Sequence, residues 1–188
     1  MKKTIFSLLV IIGLSFSNVQ AQAPAGFEKG TIVLANNTKL EGFIKESLST
    51  KGTISFASST GSKKTYSVAE VNAFSCKADT YIAYANDFYK SVATGSKVSL
   101  YQKQSNNAGK LIYNGSDAYS ATTTDGSIGD YYVKLTNNDD LLLVNAKNFD
   151  VVLSKTFADC SIVVADIKSK QLDYSQITKA VEKYNTCK

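Results

Sequence analysis

Thr31-Ile32-Val33-Leu34-Ala35-Asn36-Asn37-Thr38-Lys39-Leu40-Glu41-Gly42-Phe43-Ile44 decides the fold of this chain. Two short apolar-bearing runs flank a pair of asparagines. Asn tolerates positive φ, so Asn36-Asn37 can close a tight hairpin between two strands. The same texture continues outward. Gly52-Thr53-Ile54-Ser55-Phe56 reads as a third strand and residues 58–62 as a loop. Further strands are expected at 64–67, 80–85, 88–92, 98–102, 110–113, 131–136 and 141–144, and another over Val71 and Phe74 ends at Cys76. Strands this short and this regularly punctuated argue for a barrel or a sandwich. Tyr and Phe are dense in this region, and Pro24 is the sole proline; both facts suit sheet-building.

The period changes after Lys147. Phe149, Val152, Leu153 and Phe157 form one helical stripe. A second short helix is expected from Cys160 to Lys168 on Val163 and Ile167. Ile177, Ala180, Val181 and Tyr184 mark the third at i, i+3, i+4 and i+7, with Asp173 and Gln176 spaced like a capping box before it. The expected fold class is α+β: an antiparallel β barrel or sandwich over residues 24–147, then two to three short helices over 148–188 packed on the same domain.

Upstream of all this, Met1-Lys2-Lys3 supplies a positive start and Ile5 to Phe16 an apolar stretch. Small residues frame cleavage after Ala21 or Ala23. That order defines a secretory signal peptide over residues 1–23. About a dozen apolar residues fall short of the roughly 20 that a membrane span needs. The expectation is a mature form with no membrane span, periplasmic or extracellular, from a bacterial envelope.

Composition excludes several chemistries. The chain has 21 basic residues, all lysine, and no His, Arg or Trp. Lys2 and Lys3 belong to the leader, which leaves 19 Lys against 16 acids, a balance of +3. Without His there is no Ser-His-Asp or Cys-His catalysis and no imidazole ligand. Without Arg there is no bidentate fork for phosphate or guanine. The lysines are scattered rather than gathered on one face, so nucleic acid is not an expected partner. Lysines that solubilise a β surface and guard its edges fit the pattern better.

Gly30-Thr31-Ile32, the Lys39–Ile44 and Gly52–Phe56 runs and the ending Tyr184-Asn185-Thr186-Cys187 resemble uncharacterised exported proteins of Bacteroidota. The resemblance covers most of the chain beyond the leader and implies export and a β-rich domain with a helical tail. It carries over no functional residue.

Three cysteines in an oxidising compartment mean one pair and one leftover thiol. Cys160 opens the second helix and Cys187 closes the third, ends that meet in an antiparallel helical hairpin, so a Cys160–Cys187 disulfide is expected. Cys76 reads as a buried structural residue, because a reactive thiol needs a base or a positive field. Three dispersed Cys without His close no zinc site.

Asp125, Asp130, Asp139 and Asp140 are the densest acids, and each sits in turn chemistry. Asp125-Gly126-Ser127-Ile128-Gly129-Asp130 lacks the alternating ligands and terminal Glu of a calcium loop. No G-x-S-x-G, P-loop or dinucleotide fingerprint occurs, and no cofactor is expected. Tyr81, Tyr84, Tyr131 and Tyr132 are the candidate aromatic ligand surface, set against ordinary sheet packing. The leading functional expectation is a non-catalytic exported module that binds an envelope protein, a glycan or another surface component. The alternative is a carboxylate-based extracytoplasmic enzyme such as a glycan hydrolase, which needs two acids across a cleft. A lipid-carrying barrel is a third reading and needs an apolar interior.

Overall fold

The structure, a computed structural model, describes residues 22–114 and 116–188; the expected leader lies outside them apart from its last two residues. The strands in chain order are β1 (Glu28–Leu34), β2 (Lys39–Ser47), β3 (Thr53–Ala57), β4 (Lys63–Ser67), β5 (Val71–Cys76) and β6 (Asp79–Tyr84). They continue with β7 (Asp87–Ala93), β8 (Val98–Lys103), β9 (Leu111–Asn114), β10 (Asp117–Ser120), β11 (Tyr131–Leu135) and β12 (Leu142–Val144). A short helix α1 (Leu48–Lys51) interrupts the first half, and α2 (Phe149–Thr156), α3 (Ser161–Lys168) and α4 (Ile177–Thr186) close the chain.

Ten strands make one antiparallel sheet in the order β12-β11-β8-β7-β6-β5-β1-β2-β3-β4, while β9 and β10 form a separate hairpin. The α+β class is therefore as the sequence indicates. Barrel closure does not occur, because β4 and β12 are the two edges of the sheet and do not pair with each other. In the first hairpin only Asn37 takes positive φ (64°), and the turn is wider than two residues, with Leu34 N–H donating to Thr38 O at 2.9 Å. The tighter turn is Ala85-Asn86 between β6 and β7, where both residues have positive φ.

Register fixes what is buried. Ile32 pairs with Leu40 on one side and Phe74 on the other, and Phe74 pairs with Tyr81, their rings stacked at 4.4 Å. Ile44 and Phe56 and then Ile54 and Tyr66 extend the same apolar face through β2, β3 and β4. This half of the sheet curls inward. Tyr81 OH donates to Glu46 Oε2 at 3.3 Å although β5 and β1 separate β6 from β2. Continuing the register, Tyr81, Lys90, Gln102, Tyr131 and Val144 form one row across β6 to β12. Leu100, Val133 and Val144 on that face pack against Phe149, Leu153, Phe157, Val163, Ile167 and the α4 stripe. So one face holds two cores, one inside the curl and one under the helices.

Ile177, Ala180, Val181 and Tyr184 are all buried, as their spacing requires. Asp173 does not form the expected box with Gln176. Its carboxylate instead accepts from Ser175 N and Ser175 Oγ at 2.9 and 2.6 Å, which opens a short 3-10 turn one turn ahead of α4. Cys160 and Cys187 form the expected disulfide, with their Cα atoms 6.2 Å apart. Asn185 fastens α4 to β8: its Oδ1 accepts from Lys97 N and Val98 N at 3.0 Å each, and its Nδ2 donates to Val98 O at 2.9 Å. Gly95 lets it in, since a Cβ there would fall on the Asn185 amide.

Candidate functional site

The four candidate tyrosines are not brought together, which corrects the aromatic-surface expectation. Tyr81 is buried inside the curl, and Tyr131 packs edge-on against Tyr174 beneath the helices. Tyr132 lies on the opposite face, fully buried against Tyr89, with Tyr84 at the margin of that cluster. Strand alternation causes the split, since neighbours such as Tyr131 and Tyr132 must point to opposite faces.

Three of the four candidate carboxylates, Asp130, Asp139 and Asp140, are engaged by near neighbours. Asp130 Oδ2 accepts from Ser127 N at 2.8 Å, and Asp139 Oδ1 meets Lys134 Nζ at 3.0 Å. Asp140 receives Tyr84 OH at 3.5 Å, and the Asp125 backbone carbonyl accepts the Tyr132 hydroxyl. Among the described residues no group of three or more His, Cys, Asp or Glu could hold a metal ion.

A cleft of about 390 Å³ opens at one end of the curl, lined by Glu28, Glu46, Cys76, Lys77, Asp79 and Tyr81 among others. Its charges are largely paired: Lys77 with Glu28 at 3.2 Å and Lys90 with Asp79 at 2.7 Å. Cys76 is the free cysteine and is buried. Burial, and then the nearby Glu46 carboxylate, push its thiol up to about 11. Such a thiol is almost entirely protonated at neutral pH and is a poor nucleophile.

Two features go beyond the sequence expectations, which placed only the strand at 110–113 in this region. The first is a buried polar network on the face opposite the two large cores. Asp87 and Lys103 are both fully buried, with Nζ 3.0 Å from Oδ2. Asp87 Oδ1 accepts from Ser105 Oγ and from Asn107 N, both at 2.9 Å. Lys103 Nζ donates to Thr124 O at 2.9 Å and to Thr124 Oγ1 and Gly126 O at 3.4 Å each. The network pins the loops on either side of the β9–β10 hairpin to the sheet. Nothing local in the sequence marks it, because a Lys ending a strand ordinarily keeps its ammonium in water.

The second is the hairpin itself. Ile112 is buried in the curled core and roots it. Ser67 Oγ donates to Tyr113 O at 3.2 Å, and Tyr119 OH donates to Asn86 Oδ1 at 2.8 Å. Alternation then sends Leu111 and Tyr113 outward, 63% and 59% exposed, with Tyr119 at 40%. A cavity of about 130 Å³ lies at its base, lined by Gly52, Val68, Asn107, Leu111, Ile112 and Tyr113 among others. Within the described residues β10 pairs with β9 alone, which leaves its outer edge without a strand partner. The sequence holds a partial signal in three large apolar or aromatic residues, Leu111, Tyr113 and Tyr119, close together.

No protein-family model, curated protein or solved structure matches this chain.

Proposed function

We propose that this chain is an exported, non-catalytic binding module whose β9–β10 hairpin docks onto a protein of the cell envelope, with β10 adding to a strand of that partner. The observation that carries the reading is the pairing of exposed Leu111 and Tyr113 with an unpartnered strand edge. Proteins guard free edges with lysine, proline or very short strands. The main sheet follows that rule, with Lys63 and Lys64 on edge strand β4 and only three residues in edge strand β12. β10 reads Asp117-Ala118-Tyr119-Ser120 and carries neither lysine nor proline. Main-chain hydrogen bonds to an added strand supply affinity in this mode, and neighbouring side chains supply selectivity.

Export is supported by the leader pattern and by the Cys160–Cys187 disulfide, which fits an oxidising compartment. No described helix is long and apolar enough to cross a membrane. The non-catalytic part of the reading draws on the acids. A carboxylate hydrolase needs two free acids facing each other across a cleft, whereas Glu28 and Asp79 in the charged cleft are each paired with a lysine.

The test is binding of the purified protein to cell envelopes of the producing organism. Replacing Leu111 and Tyr113 together by Ser should weaken binding about tenfold or more, the range of a lost interface anchor. Protease treatment of the envelopes should abolish binding and glycan digestion should spare it. Unchanged binding by the double variant, or loss on glycan digestion alone, contradicts the proposal.

A further inference from the structure

Asp87 and Lys103 form a fully buried ion pair, with Nζ 3.0 Å from Oδ2, on the face opposite the two large cores. Both side chains are completely removed from solvent, and removing two charges from water is costly unless every lone pair and proton is satisfied. The satisfaction here is lopsided. Asp87 Oδ1 takes two hydrogen bonds, from the Ser105 hydroxyl and the Asn107 amide. Asp87 Oδ2 lies 3.0 Å from Lys103 Nζ yet receives no well-directed hydrogen bond from any group. The ammonium also donates to Thr124 O at 2.9 Å and lies 3.4 Å from Thr124 Oγ1 and from Gly126 O. Around the pair stand the rings of Tyr89 and Tyr132, 5.1 Å apart, and the Tyr89 and Thr124 hydroxyls share a 2.5 Å hydrogen bond.

We infer that Lys103 Nζ and Asp87 Cγ condense into an intramolecular amide that ties β7 to β8. The step needs no external reagent. One proton passes from the ammonium to Oδ2 across the 3.0 Å that separates them, which frees the Nζ lone pair. The Nζ lone pair adds to Cγ. Negative charge then collects on Oδ1, where the Ser105 hydroxyl and Asn107 amide already point, the arrangement that stabilises a tetrahedral intermediate. A second proton moves from nitrogen to Oδ2, the Cγ–Oδ2 bond breaks, and water leaves as the amide carbonyl reforms on Oδ1. Three ammonium protons become one amide proton and the two of the released water, with no change in net charge. The oxygen that departs is the one the fold leaves without a hydrogen bond. Fixed proximity replaces the encounter that makes the same condensation slow in solution. Thr124 and Gly126 are positioning residues, since their carbonyls hold Nζ in place without touching the bond that breaks.

Mass spectrometry of the full chain, unfolded and reduced, tests this directly. The protein should be lighter than its sequence by one water. Trypsin should yield residues 78–90 joined to residues 98–110, uncut at Lys103. Asp87→Ala should restore the full mass and the linear peptides. Ser105→Ala, which keeps both reacting groups, should leave a mixture of joined and linear forms. A wild-type protein at full mass with linear peptides overturns the inference. So does a missing water that maps to Asp125-Gly126 as a cyclic imide.

Discussion

Asn185 shows how much a single amide can do in this protein. Its side chain satisfies the Lys97 and Val98 N–H groups and the Val98 carbonyl, at the start of β8 where α4 meets the sheet. Asn185→Ala strands those groups half-buried and should cost about 1–3 kcal/mol. Urea unfolding measures it, and a loss too small to resolve contradicts the assignment. The phenols set a pH limit. Burial raises Tyr81, Tyr89 and Tyr132 above their ordinary range, and burial plus the hydrogen bond to Asp159 push Tyr184 up to about 12. A raised folded value means the stabilisation is complete below the unfolded value near 10 and is lost as pH climbs through the folded value. Stability should therefore fall steeply from about pH 10 towards 12, and tyrosinate absorbance from these four should appear only with unfolding. Tyrosinate from any of these four near pH 10 in the folded protein, identified by its loss in the matching Tyr→Phe variant, would refute this. At this scale the sequence exposes what depends on spacing, such as the Cys160–Cys187 pairing. It conceals Lys103, whose burial depends on a loop more than twenty residues away.

The elements divide by how they are stabilised. α2, α3 and α4 have 8, 8 and 10 residues, too short to persist alone, so their order comes from the shared core with β8, β11 and β12 and from the disulfide. With cysteines 27 apart in sequence, chain-entropy arithmetic puts the bridge at about 3–4 kcal/mol. Replacing both cysteines by Ala should lower stability by up to that amount. Hydrogen exchange should then show α3 and α4 losing protection first while β1, β2 and β5 keep theirs. Uniform loss across the sheet would contradict this independence. Legibility at this scale follows the same physics. Strands with alternation and helices with a stripe were readable in the residues themselves. α1 was not, being four residues ended by Gly52 at φ 66°, where a Cβ would also fall on the Asn107 amide. β10 was not, because four exposed residues carry no burial pattern.

At the scale of the molecule, an open sheet carries two cores on one face and a small tyrosine cluster on the other. The α+β class was legible because composition and period suffice for it. Openness was not, because β1 pairs with both β2 and β5, and strand order across such distances leaves no local trace. The expected tyrosine surface dissolved for a related reason: alternation and curl send like residues to different cores. The proposed docking role rests on the β9–β10 hairpin, where Leu111 and Tyr113 are exposed. Its test is a photo-crosslinking residue placed at Tyr113 in the producing organism, with the same residue at Val151, which is 73% exposed on α2, as the comparison. A discrete protein adduct is expected from position 113, abolished by Leu111→Ser, and none from position 151. Identical adducts from both positions, or none from position 113, would contradict it.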